Sequence, residues 1–315
     1  MLSNNGIAFV FPGQGSQYIG MGKELISDFP GIKEYFSNAS DVIDKDLLKL
    51  SIEGPESELN DTVNTQPCLY VLSYAIFKII EDEGFTPQVL AGHSLGEYTA
   101  LAASGTFTFE DGLRIVAKRA HLMSSEGRKR TGKMLAVLGA DMRGVDDVVN
   151  EISRDGVISV ANYNCPGQIV VSVEADLSDR ALDALSAVGA KKIIELPVSG
   201  AFHSKMMLDA ERSFNAYLDD FIFMTAGTPI VQNTTAKPTI NPREIRNALE
   251  KQMSSPVKWQ QSIGVMLGLG IKTFVEIGPG QVLSKIIKRI DKQVEVLATD
   301  KPLLLGEVMT RLKEV

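Results

Sequence analysis

The chain has 315 residues, 44% hydrophobic and 23% charged, so it is long enough to bury a large core. This composition is typical of a globular protein and excludes a disordered chain. The net charge of −7 makes nucleic acid and anionic membranes unfavourable partners. No apolar run reaches the roughly 18 residues of a membrane-spanning helix. We therefore expect neither a nucleic-acid-binding nor a membrane protein.

The two cysteines, Cys68 and Cys165, lie far apart in the sequence. This spacing fits no CxxC metal or redox motif, and two free thiols are typical of a reducing compartment. Residues 1–6 lack the basic segment of a signal peptide. We expect a cytoplasmic protein.

The first elements alternate between strand and helix. The pattern predicts strands over Ile7–Phe11 and Gln88–Ala91, and helices over Pro67–Gly84, Leu95–Ser104 and Asp111–Ser124. Strands that alternate with helices indicate a parallel sheet covered on both faces, which is the α/β class.

The middle of the chain has a different order, β-α-β-β-α-β, which is typical of a ferredoxin-like unit. The six predicted elements are Met134–Leu138, Val145–Arg154, Val157–Asn162, Gln168–Val173, Leu177–Val188 and Lys191–Leu196. Loop signals flank them, at Arg128–Gly132 and at Pro197. We therefore predict a small inserted subdomain over residues 132–196.

The large subdomain is then expected to comprise residues 1–131 and 197–315. Its second part is predicted to contain the helix Ser204–Leu218, the strand Ile230–Gln232, the helix Pro242–Gln252, the strand Thr273–Ile277 and the helix Gln281–Lys288.

The strongest chemical signal is the pentapeptide GHSLG at Gly92–Gly96, which matches G-x-S-x-G. It follows a short apolar strand and precedes a helix, as this motif requires. Glycines at both ends permit a sharp bend, so that Ser94 projects from it. The helix N-terminus behind the bend offers free N–H groups to a developing oxyanion. The pattern predicts a nucleophilic serine, against the alternative of an ordinary strand–turn–helix.

A nucleophilic serine needs a base, and the chain has three histidines. His93 adjoins Ser94 across the bend, where neighbouring side chains point apart. His121 lies within a predicted helix, as packed and surface histidines often do. His203 lies in a loop between a strand and a helix, where α/β proteins place catalytic groups. We favour His203, and no acidic residue stands out as its orienting partner.

A glycine-rich loop, Gly13–Gln17, follows the first strand. It lacks the third glycine of a dinucleotide-binding loop and the lysine of a P-loop. We expect it to supply a second backbone N–H group to an oxyanion hole, beside that of Leu95. A plain tight turn is the alternative.

Five segments in this order and spacing resemble the malonyl-CoA:acyl-carrier-protein transacylases of bacterial fatty acid synthesis and the closely similar polyketide synthase acyltransferases. The segments are Gly13–Gln17, Gly92–Glu97, Arg119, Ala201–Ser204 and Glu276–Gly280. The resemblance covers nearly the whole chain. It implies an α/β-hydrolase-like core with an inserted ferredoxin-like subdomain.

The resemblance also implies the catalytic roles. Ser94 would carry the acyl group, and His203 would act first as general base and then as general acid. The backbone N–H groups of Gln14 and Leu95 would form the oxyanion hole. The backbone carbonyl of Gln252 would orient the histidine, which explains the missing acid.

Arg119 and Phe202 would select the substrate. By the resemblance, Arg119 pairs with the free carboxylate of the malonyl group, and a guanidinium can grip a carboxylate through two parallel hydrogen bonds. A surface arginine is the alternative. Phe202 would crowd the α-carbon of a branched acyl group, and Ala201–His203 resembles malonyl-selective members of both pathways.

The implied function is [acyl-carrier-protein] S-malonyltransferase activity by a ping-pong mechanism, without a metal or another cofactor. The implied partners are malonyl-CoA and an acyl carrier protein. A stand-alone polyketide synthase acyltransferase, an acyl-thioester hydrolase and a non-enzymatic docking module are the alternatives.

Acyl carrier proteins are typically acidic, so an acidic chain needs a local positive patch to bind one. Nine basic residues are predicted near the cleft between the subdomains: Arg128, Lys129, Arg130, Lys133, Lys191, Lys192, Lys285, Lys288 and Arg289.

Overall fold

Two β-sheets organise the chain in the computed structural model, which describes residues 4–314. Residues 1–3, which the signal-peptide interpretation of residues 1–6 includes, lie outside this range. The strands are β1 (Asn4–Phe11), β2 (Pro87–Gly92), β3 (Gly132–Leu138), β4 (Ile158–Cys165), β5 (Gln168–Glu174), β6 (Lys192–Glu195), β7 (Ile230–Val231), β8 (Pro238–Thr239), β9 (Thr273–Glu276) and β10 (Glu295–Ala298).

Fourteen α-helices surround the sheets in the described range. They are α1 (Lys23–Asp28), α2 (Ile32–Ile43), α3 (Leu47–Glu53), α4 (Glu56–Leu59), α5 (Thr62–Asp82), α6 (Gly96–Ala103), α7 (Phe109–Lys129), α8 (Met142–Ile152), α9 (Ser178–Ala187), α10 (Leu208–Leu218), α11 (Pro242–Leu249), α12 (Trp259–Gly268), α13 (Val282–Ile290) and α14 (Pro302–Glu314). Within residues 4–314, none of these helices combines the length and apolarity needed to cross a membrane.

The larger sheet has the strand order β10-β9-β1-β2-β7-β8 and is parallel except for the pairing of β7 with β8. Its central strand β1 is buried on both faces. Phe9 and Phe11 join one hydrophobic cluster, while Ala8 and Val10 join a second cluster that contains Trp259. This continuous burial is the physical reason for the uninterrupted apolar run of β1, and it confirms the α/β class.

The smaller sheet has the order β4-β5-β3-β6 and is antiparallel throughout. One face packs on α8 and α9, where Val145 and Leu185 join the alternate strand residues in a separate cluster. The other face, which includes Met134, Ala136 and Val170, belongs to the main cluster. The smaller sheet therefore covers part of the larger unit.

Several predicted boundaries were wrong. Helix α5 begins at Thr62, not at Pro67, because the Asp61 side chain caps it by accepting from the N–H of Val63 at 3.0 Å. The predicted loop over Arg128–Gly132 is shorter, since α7 continues to Lys129 and β3 begins at Gly132. The helix predicted over Ser204–Leu218 opens with a 3₁₀ turn.

Some elements had no sequence prediction. They are α1 to α4, α12 and α14 among the helices, and β8 and β10 among the strands. Strand β10 is half-buried along its whole length, so it lacks the apolar run by which a central strand is recognised.

Candidate active site

A sharp bend at the end of β2 carries Ser94. Its φ angle is 51°, a left-handed conformation that is unusual for a residue with a side chain. The two flanking glycines make the bend possible. A Cβ at Gly92 would lie 1.9 Å from the carbonyl carbon of Gly96, and one at Gly96 would lie 2.0 Å from the carbonyl oxygen of Phe11. Ser94 thus stands on the bend that the G-x-S-x-G motif predicts.

Asn233, in the loop after β7, braces this bend from both sides. Its Oδ1 accepts from the N–H of Ser94 at 2.7 Å, and its Nδ2 donates to the carbonyl of Gly92 at 2.6 Å. The N–H of Ser94 is therefore occupied. The N–H of Leu95, at the start of α6, donates to no group in residues 4–314.

The loop after β1 lies against the same bend. A Cβ at Gly13 would lie 2.4 Å from the carbonyl oxygen of His93, so only glycine permits this approach. The Gln14 side chain is held by Thr62, to which it donates at 3.0 Å. Within the described range the backbone N–H of Gln14 has no acceptor either. Gln14 and Leu95 both line the cavity in front of Ser94.

His203 lies with its Nε2 atom 2.7 Å from the Oγ of Ser94. Its Nδ1 atom lies 2.9 Å from the carbonyl oxygen of Gln252 and 3.1 Å from that of Ser255. Carbonyl oxygens can only accept, so Nδ1 must carry the proton and Nε2 must present its lone pair to Ser94. The geometry alone fixes the tautomer that a general base needs.

The environment of His203 keeps its imidazole neutral. Burial, followed by the positive charge of Arg119, lowers the pKa of His203 to about 3, although the carbonyl groups of Gln252 and Ser255 act in the opposite direction. At neutral pH the ring is therefore unprotonated, and the lone pair of its Nε2 atom faces Ser94.

Arg119, on α7, reaches the nucleophile. Its Nη2 atom donates to the Oγ of Ser94 and to the Oε1 of Gln252, both at 3.0 Å, and its Nη1 atom donates to the Oε1 of Gln66 at 2.6 Å. The side chain is buried, with 1% exposed, and stacks over the ring of Tyr98 at 5.1 Å. No carboxylate of residues 4–314 lies within 4.0 Å of its guanidinium nitrogens.

The Gln252 side chain connects Arg119 to a buried carboxylate. Its Nε2 donates to the carbonyl of Ser94 at 3.0 Å and also to the carboxylate of Glu97. The N–H of Asn233 donates to the same carboxylate at 3.1 Å. Burial raises the pKa of Glu97 to about 7, against the hydrogen bonds from Gln252 and Asn233 and the charge of Arg119.

A cavity of about 230 Å³ opens in front of Ser94, between the bend and the smaller sheet. Phe202, Met134, Ala136 and Val170 form an apolar wall. Phe202 is 4% exposed, and its carbonyl accepts from the hydroxyl of Ser172 on β5. The phenyl ring is therefore packed in place as part of this wall.

The other two histidines are not bonded to the nucleophile. The Nε2 of His93 lies 2.9 Å from the Oδ1 of Asn164 and 3.3 Å from the Nδ2 of Asn162, both on β4. His121 lies exposed on α7. Residues 4–314 contain no group of three His, Cys, Asp or Glu side chains placed to bind a metal ion.

With this geometry established, comparison with known proteins identifies the family. The family described as "Acyl transferase domain" matches residues 8–307. The malonyl CoA-acyl carrier protein transacylase of Bacillus subtilis (strain 168) is 38% identical over 309 residues, which is 98% of each chain. The chain belongs to the malonyl-CoA:acyl carrier protein transacylase family of acyl transferases. The resemblance inferred from the motifs is confirmed.

Solved structures of this acyl transferase family agree. The transacylase from Xanthomonas oryzae pv. oryzae has a TM-score of 0.95 and 38% identity over 98% of this chain and 99% of that one. A malonyl-transacylase in complex with the acyl carrier protein of a type II polyketide synthase has a TM-score of 0.94 and 36% identity over 97% of this chain and 99% of that one.

Sequence reasoning missed some of the polar residues that hold this acyl transferase site together. Gln66, Glu97 and Asn233 contact the site residues across 53, 155 and 139 positions of sequence. Glu97 ends the segment Gly92–Glu97 but had no predicted role, and neither Gln66 nor Asn233 lies in a recognisable motif. Only the tertiary contacts reveal them.

Proposed function

We propose that this chain transfers a malonyl group from malonyl-CoA to the phosphopantetheine thiol of an acyl carrier protein, through an ester on Ser94. The observation that carries the proposal is Arg119, a buried cation without a direct ion-pair partner in the described range, 3.0 Å from the nucleophile. A buried charge without a direct ion pair is costly, so its site favours an anionic ligand. Malonyl-CoA supplies a carboxylate on the acyl group itself.

The acylation step follows from the orientation of His203. Ser94 Oγ attacks the thioester carbonyl carbon while its proton passes to Nε2 of His203. The free N–H groups of Gln14 and Leu95 stabilise the negative charge that develops on the carbonyl oxygen. The carbon–sulfur bond then breaks, His203 returns the proton to the departing coenzyme A sulfur, and malonyl-Ser94 remains.

Transfer to the carrier repeats the step in reverse order. The pantetheine thiol gives its proton to His203 and its sulfur attacks the ester carbon. The bond to Ser94 Oγ breaks, and the oxygen regains a proton from the imidazolium. The backbone carbonyl of Gln252 keeps the imidazole aligned in both half-reactions, and no metal or cofactor is needed.

Selectivity follows from two residues. Arg119 binds the malonyl carboxylate beside Ser94, and its N–H bonds to Gln66 and Gln252 fix the plane of the guanidinium. Phe202 limits the space next to the α-carbon of the acyl group. A linear, anionic acyl group fits this combination best.

The proposal includes the division of the chain into a large α/β-hydrolase-like subdomain, residues 1–131 and 197–315, and a ferredoxin-like subdomain, residues 132–196. The bend after β2 of a parallel sheet supports the first assignment. The antiparallel order β4-β5-β3-β6 with two helices on one face supports the second. The free thiols of Cys68 and Cys165 agree with a cytoplasmic location.

The acceptor has two candidates. The curated relatives are named malonyl CoA-acyl carrier protein transacylases, while one neighbour of known structure is bound to a type II polyketide synthase carrier. An acyl carrier protein of the host's fatty acid synthesis is the first candidate. A polyketide carrier is the second, in which case the chain would act as a stand-alone polyketide synthase acyltransferase.

The test is mass spectrometry of the intact protein after incubation with malonyl-CoA and no acceptor. We expect the mass to rise by one malonyl group, and peptide mapping should place it on Ser94. Ser94→Ala should lose the adduct, and turnover should fall by several orders of magnitude. A fully active Ser94→Ala variant would refute the proposal. In a second assay, with the carrier protein present, release of free malonate in place of carrier-bound malonate would assign the chain to the hydrolases.

A further inference from the structure

The buried carboxylate of Glu97 has no place in the steps above, although it lies two hydrogen bonds from the nucleophile. It is 1% exposed, and the resemblance gave it no role. It accepts from the side chain of Gln252 and from the backbone of Asn233. Both partners contact the bend that carries Ser94 directly.

Gln252 stands between Glu97 and Arg119 and separates the two charges. Its amide offers two N–H groups and one oxygen. The carbonyl of Ser94 and the carboxylate of Glu97 take the two N–H groups, which leaves Oε1 to accept from Arg119 at 3.0 Å. The carboxylate thereby fixes the amide without forming an ion pair with Arg119 itself.

The same carboxylate also fixes Asn233. The Asn233 N–H bond to Glu97 holds the residue whose side chain occupies the N–H of Ser94 and the carbonyl of Gly92. Because Asn233 occupies the N–H of Ser94, the N–H of Leu95 is the free donor of the bend. Glu97 thus contacts partners of both the anion site and the bend, but the bend is held by the Asn233 side chain itself, whose two bonds do not involve Glu97.

We propose that Glu97 is a positioning residue that, through Gln252, presents Arg119 to the carboxylate of the acyl group. This inference rests on the proposed malonyl transfer. Loss of the carboxylate should weaken reactions of an acyl group that carries a carboxylate. Reactions of a neutral acyl group or reagent should change little, because Ser94 and His203 keep their direct hydrogen bond.

Glu97→Gln is the sharpest substitution, because it keeps the shape of the side chain and replaces the carboxylate by an amide, which can donate as well as accept. With an amide at position 97, the Gln252 side chain is no longer required to turn its N–H group toward that position. Glu126→Gln is the matched control, a buried carboxylate on α7 that pairs with Lys129 and Arg130 instead. Both variants should be measured beside wild type for kcat/KM with malonyl-CoA and acetyl-CoA, and for labelling by a fluorophosphonate.

We expect Glu97→Gln to lower kcat/KM for malonyl-CoA by about 10- to 100-fold, the range that a misplaced reacting group causes. Acetyl-CoA turnover and fluorophosphonate labelling should stay within about threefold of wild type. This is a smaller change in free energy than a tenfold loss of kcat/KM represents. Glu126→Gln should match wild type in all three. Equal losses for malonyl-CoA and acetyl-CoA would show a merely structural carboxylate and overturn the inference.

The pH profile gives a second readout. Both carboxylate oxygens of Glu97 accept hydrogen bonds, and protonation removes the negative charge and turns one of these oxygens into a donor. The wild-type preference for malonyl-CoA over acetyl-CoA should therefore fall as the pH drops through the Glu97 pKa of about 7. Glu97→Gln should show no such step. Among the titratable groups of the site, Arg119 carries a positive charge that lowers the pKa of Glu97, whereas the pKa of Tyr98 lies far above this range and that of His203 is about 3.

Arg119→Ala separates the two claims. If Arg119→Ala keeps the malonyl preference, the proposed anion site itself is wrong. If Arg119→Ala loses the preference while Glu97→Gln keeps both the preference and the pH step, only the role of Glu97 is wrong.

Should Glu97→Gln unfold, Glu97→Asp restores the charge on a shorter side chain, and we then expect a partial return of the malonyl preference with the pH step. A folded Glu97→Asp without either would overturn the inference.

Discussion

His203 and Ser94 lie 109 positions apart in the sequence, yet the Nε2 atom of the first is 2.7 Å from the Oγ atom of the second. Both residues have a left-handed backbone, with φ angles of 54° and 51°. Such conformations cost about 1–3 kcal/mol each and persist where the surrounding structure imposes them. The fold therefore assembles the pair before any substrate arrives.

The choice of base is tested by two histidine variants. His203→Ala should slow acylation of Ser94 by about 10²- to 10⁴-fold, the usual contribution of general base catalysis. His121→Ala should retain activity, because His121 is exposed on α7. The measurement is the single-turnover rate of malonyl-enzyme formation. An inactive His121→Ala variant beside an active His203→Ala variant would reverse the assignment.

The anion site is tested by Arg119→Ala. We expect transition-state binding of malonyl-CoA to weaken by roughly 2–5 kcal/mol, because a desolvated charge pair is lost. The kcat/KM for acetyl-CoA should fall far less or even rise. Arg114→Ala serves as the control, since Arg114 is an exposed arginine of the same helix that pairs with Asp111. Equal losses for both thioesters would make Arg119 a structural residue.

Much of this site could be predicted from the sequence because its main signals are local. The bend at Gly92–Gly96 needs glycines that the motif displays, and a loop histidine stood out among three candidates. Asn233 could not be predicted, because its hydrogen bonds to the bend span 139 and 141 positions. Likewise, only the structure shows that Arg119 has no direct ion-pair partner in the described range, because this requires the positions of the surrounding carboxylates.

The strands and helices likewise include some that the sequence predicted well and others that it did not. Strand β1 was recognised because both of its faces are buried, so its sequence is apolar without interruption. Strand β10 was missed, since it lies at the edge of the sheet and is only half-buried. Helix α5 was placed too late because the apolar spacing that located it begins only at Leu69, whereas the Asp61 cap sets the true start.

The depressed pKa of His203 predicts a pH dependence of stability. The folded pKa is about 3 and the ordinary value is 6.5, so the unfolded state binds more protons between these values. The free energy of unfolding contributed by His203 therefore falls as the pH drops below 6.5, by about 1.4 kcal/mol per pH unit. Glu97 acts oppositely between 4.5 and about 7, where the folded state binds more protons.

These opposing contributions are separated by His203→Gln. Relative to wild type, the variant should gain stability as the pH falls from 6.5 to 4.5, because only the destabilising histidine has been removed. Urea unfolding at pH 7.5, 6.0 and 4.5 measures this difference, with the exposed His121→Gln as control. Parallel curves of unfolding free energy against pH for His203→Gln and wild type would contradict the burial argument.

The nine predicted docking residues differ in their surroundings. Lys129, Arg130 and Lys133 pair with acidic residues, so much of their charge is compensated. Arg289 bonds to the side chain of Gln168, which lines the cavity. Lys191, before β6, is exposed and has no ion pair in the described range. The unpaired lysines are therefore the better candidates for an acidic carrier.

Reversal of charge at Lys191 and Lys192 tests this docking surface. The double variant to glutamate should raise the apparent KM for the carrier protein, because unpaired positive charge attracts an acidic partner, while Ser94 acylation by malonyl-CoA should change much less. Lys33→Glu, an exposed lysine of α2, is the control. Transfer to the carrier should also slow as salt rises, since exposed charges are screened over about 8–10 Å, whereas transfer to free pantetheine should not. Normal carrier kinetics in the double variant would place the docking surface elsewhere, and a rate independent of salt would mean that docking is not electrostatic.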